Sequence, residues 1–169
     1  MGLFNGFFKE KRSIVCEPWT IYSPLKGEVI PLAEVEDPAF SQGLMGPGVG
    51  IEPGDGLLYA PVDGEIIALF PTKHAVGMKS SEGIEILIHI GIDTVEMNGE
   101  GFKTHVKQGD KVKAGTLLVE FDSNKIKKAG YKTTTMILVP NANSIGKLEV
   151  TSYGNKEDME PLCYFNKEL

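Results

Sequence analysis

Residues 72–90 read Thr72-Lys73-His74-Ala75-Val76-Gly77-Met78-Lys79, then Ser80-Ser81-Glu82-Gly83, then Ile84-Glu85-Ile86-Leu87-Ile88-His89-Ile90. The middle four residues are turn formers, and the runs on either side are rich in the apolar and β-branched residues that favour strands. A hairpin follows. If residues 80–83 close it as a four-residue loop, Lys79 falls opposite Ile84 and His74 opposite His89. Directly opposed residues on one sheet face have Cβ atoms about 4.5–5.5 Å apart. A glycine bulge at Gly83 would move that pairing by one residue.

The pairing matters because the chain holds only three histidines. Two of them meeting across one ladder would make a site, whereas a lone histidine is usually a surface or hydrogen-bonded residue. His89 also closes an apolar run, where an unpartnered ring would be costly to bury. His105 lies in the charged stretch Lys103-Thr104-His105-Val106-Lys107 and reads as background.

Working outward, Tyr22-Ser23-Pro24-Leu25-Lys26-Gly27-Glu28-Val29-Ile30-Pro31-Leu32 is echoed by Tyr59-Ala60-Pro61-Val62-Asp63-Gly64-Glu65-Ile66-Ile67-Ala68-Leu69. Two copies are too few for a solenoid and fit a duplicated strand-turn-strand unit in one closed domain. Further strands are expected at 49–51, 57–59, 116–121, 134–139 and 147–150. A short helix is expected over 122–130, polar at its start and lysine-rich at its end with Gly130 as a stop, and one more helical turn over 93–97. With 20 glycines and 10 prolines in 169 residues, short strands and tight turns dominate. The fold class is all-β: an antiparallel β-sandwich or flattened barrel carrying one or two short helices.

The chain is long enough for one well-buried domain, placed at 19–169 behind a flexible tail at 1–18. A net charge of −6 argues against nucleic-acid binding. Cys16 and Cys163 form no CxxC pair, and no apolar run approaches the ~20 residues that span a membrane; a reduced, cytoplasmic setting is the simpler expectation. In the tail, Leu3, Phe4, Phe7 and Phe8 have helical spacing and basic residues follow, which would suit a weak interfacial membrane contact. Gly6 stands where a myristoylation signal wants Ser or Thr.

Three chemistries compete for the histidine pair. In the first, His89 carries a phosphoryl group: a neutral imidazole attacks phosphorus through one nitrogen while an acceptor on the other, such as the Gly91 carbonyl, fixes the tautomer. His74 would donate to the phosphoryl oxygens, and Thr72, two residues away, would orient its ring. In the second, His74 and His89 with Asp93 or His105 ligate zinc in a hydrolase, but no HExxH or His-x-His motif and no evident general base complete the site. In the third, the stretch 106–120 resembles the hairpin of lipoyl and biotinyl carriers. It lacks their modifiable lysine, so shared half-barrel architecture explains the likeness.

The segment Ile86-Leu87-Ile88-His89-Ile90-Gly91-Ile92-Asp93-Thr94-Val95, followed by Asn98-Gly99-Glu100-Gly101-Phe102, together with Ala60-Pro61-Val62-Asp63-Gly64 and Thr72-Lys73-His74-Ala75, resembles the glucose-type enzyme IIA family of the bacterial sugar phosphotransferase system. The likeness covers about residues 20–165. It implies a cytoplasmic phosphocarrier in which His89 takes phosphate on Nε2 from the histidine phosphocarrier protein and passes it to a cysteine of a IIB domain. It also implies roles beside the acceptor for His74, Thr72, Gly91 and Asp93, and a partner-facing surface of Phe40, Phe70, Leu87 and Val95. No cofactor or metal is implied. Leu87 stands where some relatives carry Phe, and the run Val76-Gly77-Met78 is less polar than in others. The absence of a IIB cysteine motif suits a free-standing IIA, a type in which an amphipathic N-terminal tail is known.

Overall fold

A computed structural model describes residues 14–167; the amphipathic reading of Leu3, Phe4, Phe7 and Phe8 lies outside them. All strand pairs described are antiparallel, in three sheets. The largest runs in spatial order β13 (Gly154–Lys156), β2 (Gly27–Pro31), β3 (Gly48–Pro53), β11 (Thr135–Leu138), β7 (Glu85–His89), β6 (Ala75–Ser80), β5 (Gly64–Leu69) and β9 (Lys111–Val112). A second joins β4 (Leu57–Tyr59), β10 (Leu117–Phe121) and β8 (Phe102–Thr104). The third joins β1 (Thr20–Tyr22), β14 (Pro161–Phe165) and β12 (Leu148–Val150). The expected all-β architecture holds.

The duplicated motif closes the fold reciprocally. Tyr22 N–H donates to the Pro61 carbonyl and Tyr59 N–H to the Pro24 carbonyl, at 3.0 and 2.9 Å. Each copy therefore lends the other the same backbone bond. In both, a glycine starts the second strand (Gly27, Gly64), where a Cβ would strike the carbonyl of Glu52 or of Lys79. The carrier-like stretch lies along this motif, with Gly64 opposite Val112 and Glu65 opposite Lys111.

Central strand β7 explains how a histidine comes to sit away from the main core. Side chains alternate along a strand. Ile86 and Ile88 are fully buried in the core between the sheets, so Leu87 and His89 face the other way. That outer face has its own small cluster, in which Leu87 packs with Val35, Phe40, Ile92, Met136 and Leu138. The lid is a short helix, α1 (Pro38–Ser41), whose Asp37 cap accepts from Ala39 N–H at 3.0 Å. Pro at the first helical position and Asp before it are an N-terminal signal, but a single turn is too short to show helical periodicity in the sequence. The expected helix over 122–130 is present as α2 (Ser123–Lys128), capped by Asp122, and the 3₁₀ turn Thr94–Met97 fills the other expected helical span.

The hairpin register differs from the four-residue expectation by one residue. Gly83 adopts φ +105°, its N–H donates to the Ser80 carbonyl, and Ser80 N–H donates to the Ile84 carbonyl. The loop is thus Ser81-Glu82-Gly83, a three-residue turn closed by a left-handed glycine. Lys79 pairs with Glu85, and His89 stands opposite Ala75, not His74.

Candidate functional site

The one-residue shift would send His74 to the wrong face if it lay in the strand. It does not. Strand β6 begins at Ala75, and the connection from β5 is a turn in which Lys73 N–H donates to the Phe70 carbonyl at 2.8 Å and Lys73 adopts φ +63°. Freed from strand alternation, His74 reaches the outer face while its carbonyl still accepts from Ile90 N–H at 2.7 Å. The two imidazoles meet edge to face, with centroids 4.7 Å apart at 82°.

Each ring is tied by its inner nitrogen. His89 Nδ1 lies 2.8 Å from the Gly91 carbonyl and His74 Nδ1 lies 2.7 Å from Thr72 Oγ1. A carbonyl oxygen only accepts, so Nδ1 of His89 carries the proton and a neutral ring keeps its lone pair on Nε2. A Thr72 hydroxyl donating to Nδ1 leaves the His74 proton on Nε2. In that arrangement one ring offers a lone pair at Nε2 and the other a proton at Nε2.

Aromatic walls complete the site. Phe40, 5% exposed, lies 4.9 Å from the His89 ring, and Phe70, 42% exposed, lies 5.7 Å from the His74 ring. Burial, helped by the neighbouring His89, pushes the pKa of His74 down to about 4. Burial lowers that of His89 too, although the Gly91 bond and the Asp37 and Asp93 carboxylates push the other way. Both rings are therefore neutral near pH 7, the form needed for attack on phosphorus.

The residues singled out from sequence fall into three groups. His74, His89, Thr72 and Gly91 form one hydrogen-bonded constellation. Asp93 is exposed at φ +62° and acts on His89 by charge, with no hydrogen bond from its side chain capping the turn it opens. Of the four residues expected to face a partner, Phe70 and Val95 are exposed, whereas Phe40 covers His89 and Leu87 packs beneath. Sequence reasoning missed Asp37, which only the fold carries to His89, and Thr94, whose side chain underlies Gly91. His105 is elsewhere, its Nε2 2.6 Å from Glu120 Oε2. Among the described residues no three His, Cys, Asp or Glu side chains are grouped to hold a metal, so the zinc-hydrolase alternative gains no support.

Residues 19–145 match the family model described as phosphoenolpyruvate-dependent sugar phosphotransferase system, EIIA 1. The chain is 50% identical over 129 residues to the PTS system glucose-specific EIIA component of Halalkalibacterium halodurans, covering 76% of this chain and 75% of that one. It is 49% identical over 131 residues to the beta-glucoside-specific EIIBCA component of the same organism, covering 78% of this chain and only 21% of that longer one. The solved structure of glucose permease IIA from Mycoplasma capricolum superposes with a TM-score of 0.81 at 35% identity, over 85% of this chain and 93% of that one.

Proposed function

We propose, because this chain belongs to the EIIA 1 family of the phosphoenolpyruvate-dependent sugar phosphotransferase system and is therefore a phosphotransferase component that passes phosphate through a histidine, that His89 is the histidine that carries it. One observation supports this above the others: the only-accepting Gly91 carbonyl on Nδ1, which leaves the lone pair on Nε2.

In this reading the Nε2 lone pair attacks phosphorus as the P–N bond to the phosphorylated histidine phosphocarrier protein breaks. The donor recovers its lone pair, and His89 becomes a phosphoimidazolium whose charge faces the Gly91 carbonyl and the carboxylates of Asp37 and Asp93. His74 donates from Nε2 to the phosphoryl oxygens. Phe40 and Phe70 exclude water, so the group is handed on instead of hydrolysed. Phe70 and Val95 offer apolar surface to partners, with Phe40 and Leu87 behind them.

The onward acceptor is a cysteine on the IIB domain of a glucose-family permease. The EIIBCA relative, in which an EIIA-like region is one part of a longer chain, supports that partnership, and the glucose-specific relative supports the sugar class. The same proposal places a single IIA domain at 19–169 and the protein in the cytoplasm; no helix among the described residues is long and apolar enough to cross a membrane.

The test is phosphate labelling from the phosphocarrier protein followed by chase with a purified IIB domain. Acid-labile, base-stable label should appear on the wild type and leave for IIB. His89→Ala should take up none. Equal labelling of His89→Ala would remove the assignment.

A further inference from the structure

Two successive peptide planes between His89 and Ile92 are each anchored by a hydrogen bond from outside the segment's own histidine. The Ile90 carbonyl accepts from the hydroxyl of Thr94, and Ile92 N–H donates to the Lys132 carbonyl at 3.0 Å. A trans peptide is planar, its N–H and C=O pointing oppositely. Aiming Ile92 N–H at Lys132 therefore turns the Gly91 carbonyl the other way, toward His89 Nδ1. That orientation needs Gly91 at φ +79°, where a Cβ would strike both the Thr94 side chain and the Lys132 carbonyl. Thr94 is 0% exposed, so it reaches no partner protein. Its hydroxyl and methyl are both spent on this one bend.

We infer that Thr94 is a positioning residue for phosphoryl transfer. Its hydroxyl, through the Ile90 carbonyl, and its methyl, against Gly91, hold the bend that keeps the proton on Nδ1 of His89 and the lone pair on Nε2. The inference deepens the proposed function and rests on His89 being the acceptor. Lys132 holds the other plane with a backbone atom, so the Thr94 side chain is the part of the device that substitution can reach.

Thr94→Val keeps the shape and removes the hydroxyl; Thr94→Ser keeps the hydroxyl and removes the methyl. In nitrogen-15 NMR of full-length protein, Thr94→Val should lower the share of the Nδ1–H tautomer of His89. The His89 titration midpoint should also move down, because the Gly91 bond that favours the charged ring weakens. kcat for phosphate acceptance should fall about tenfold, with KM for the phosphocarrier protein unchanged. Thr94→Ser should restore the tautomer and most of kcat. A merely structural threonine would lower the melting temperature and leave the tautomer alone.

A folded Thr94→Val with wild-type tautomer and kcat would overturn the inference. Should that variant not fold, wild-type protein decides. A slowly exchanging Thr94 hydroxyl proton and a scalar coupling between His89 Nδ1 and the Gly91 carbonyl carbon are expected, and the absence of either refutes the arrangement. The tautomer is read without phosphate. If His89→Ala were to label normally, the acceptor assignment would fail while the Thr94 measurement still stood on its own.

Discussion

His105, just past the end of β8, and His89, the last residue of β7, differ in which ring nitrogen the fold has taken. Glu120, on β10, engages His105 at Nε2, the outer nitrogen, at 2.6 Å. Gly91 engages His89 at Nδ1, the inner nitrogen, at 2.8 Å. A ring engaged at Nε2 has its outer nitrogen already taken by a neighbour's carboxylate. A ring bound at Nδ1 by an acceptor is a neutral nucleophile aimed outward. The contrast teaches that the second partner, as much as the histidine, makes the site, and that a backbone carbonyl suits the task because it can only accept.

Disturbing that carbonyl should have the largest effect. Gly91→Ala forces a side chain into φ +79° and against Thr94 and Lys132. A strained left-handed residue plus an overpacked Cβ is worth about 2–4 kcal/mol, read as a lowered midpoint in urea. Phosphate acceptance should fall with it. A stable, fully active Gly91→Ala would show that the bend is not what orients His89.

The second effect is on His74. A glutamine amide can donate one hydrogen bond to a bound phosphoryl group, but it cannot take up a proton when an incoming thiolate adds negative charge. His74→Gln should therefore accept label yet deliver it to IIB about 100-fold more slowly. Normal delivery would demote the second histidine. The same variant sharpens the burial argument. With its folded pKa pushed from 6.5 to about 4, His74 binds a proton more readily unfolded than folded. The protein thus loses stability as pH falls from 6.5 toward 4, by at most about 3 kcal/mol. His74→Gln should flatten that part of the stability curve, while matched slopes in the two proteins would place the acid sensitivity elsewhere.

How much of this is legible before folding depends on whether the determinant is local. The β6–β7 hairpin and the meeting of His74 with His89 are local, because turn chemistry and a β-branched run lie within one short stretch. Even there the pairing differs by one residue, since Ser80-Ser81-Glu82-Gly83 can close as a four-residue loop or as a three-residue loop with a left-handed glycine. Gly83 permits both. The rings still meet because Lys73, not the ladder, sets where His74 points, and a positive φ at a lysine leaves no mark in sequence. Thr72 and the Gly91 carbonyl are readable from two-residue spacing. Asp37 beside His89, Phe40 as its cover and the Lys132 carbonyl behind Gly91 arrive from distant segments that only the closed sheet brings together.

The smallest expected effect is the control on the opening contrast. His105→Gln removes a half-exposed pair in which the His105 and Glu120 side chains are 16% and 40% exposed, and such pairs contribute about 1 kcal/mol or less. Glutamine can still donate to Glu120, so the melting temperature should move by no more than a few degrees, and both phosphate acceptance and delivery should match the wild type. The outcome discriminates between two reasons for a histidine to be kept. If the bound nitrogen decides, His105 is structural and its loss is silent in transfer. If His105→Gln slows delivery, then the face formed by β8 and β10 takes part in partner docking, and the division between an outward nucleophile and an internally paired histidine no longer separates function from support.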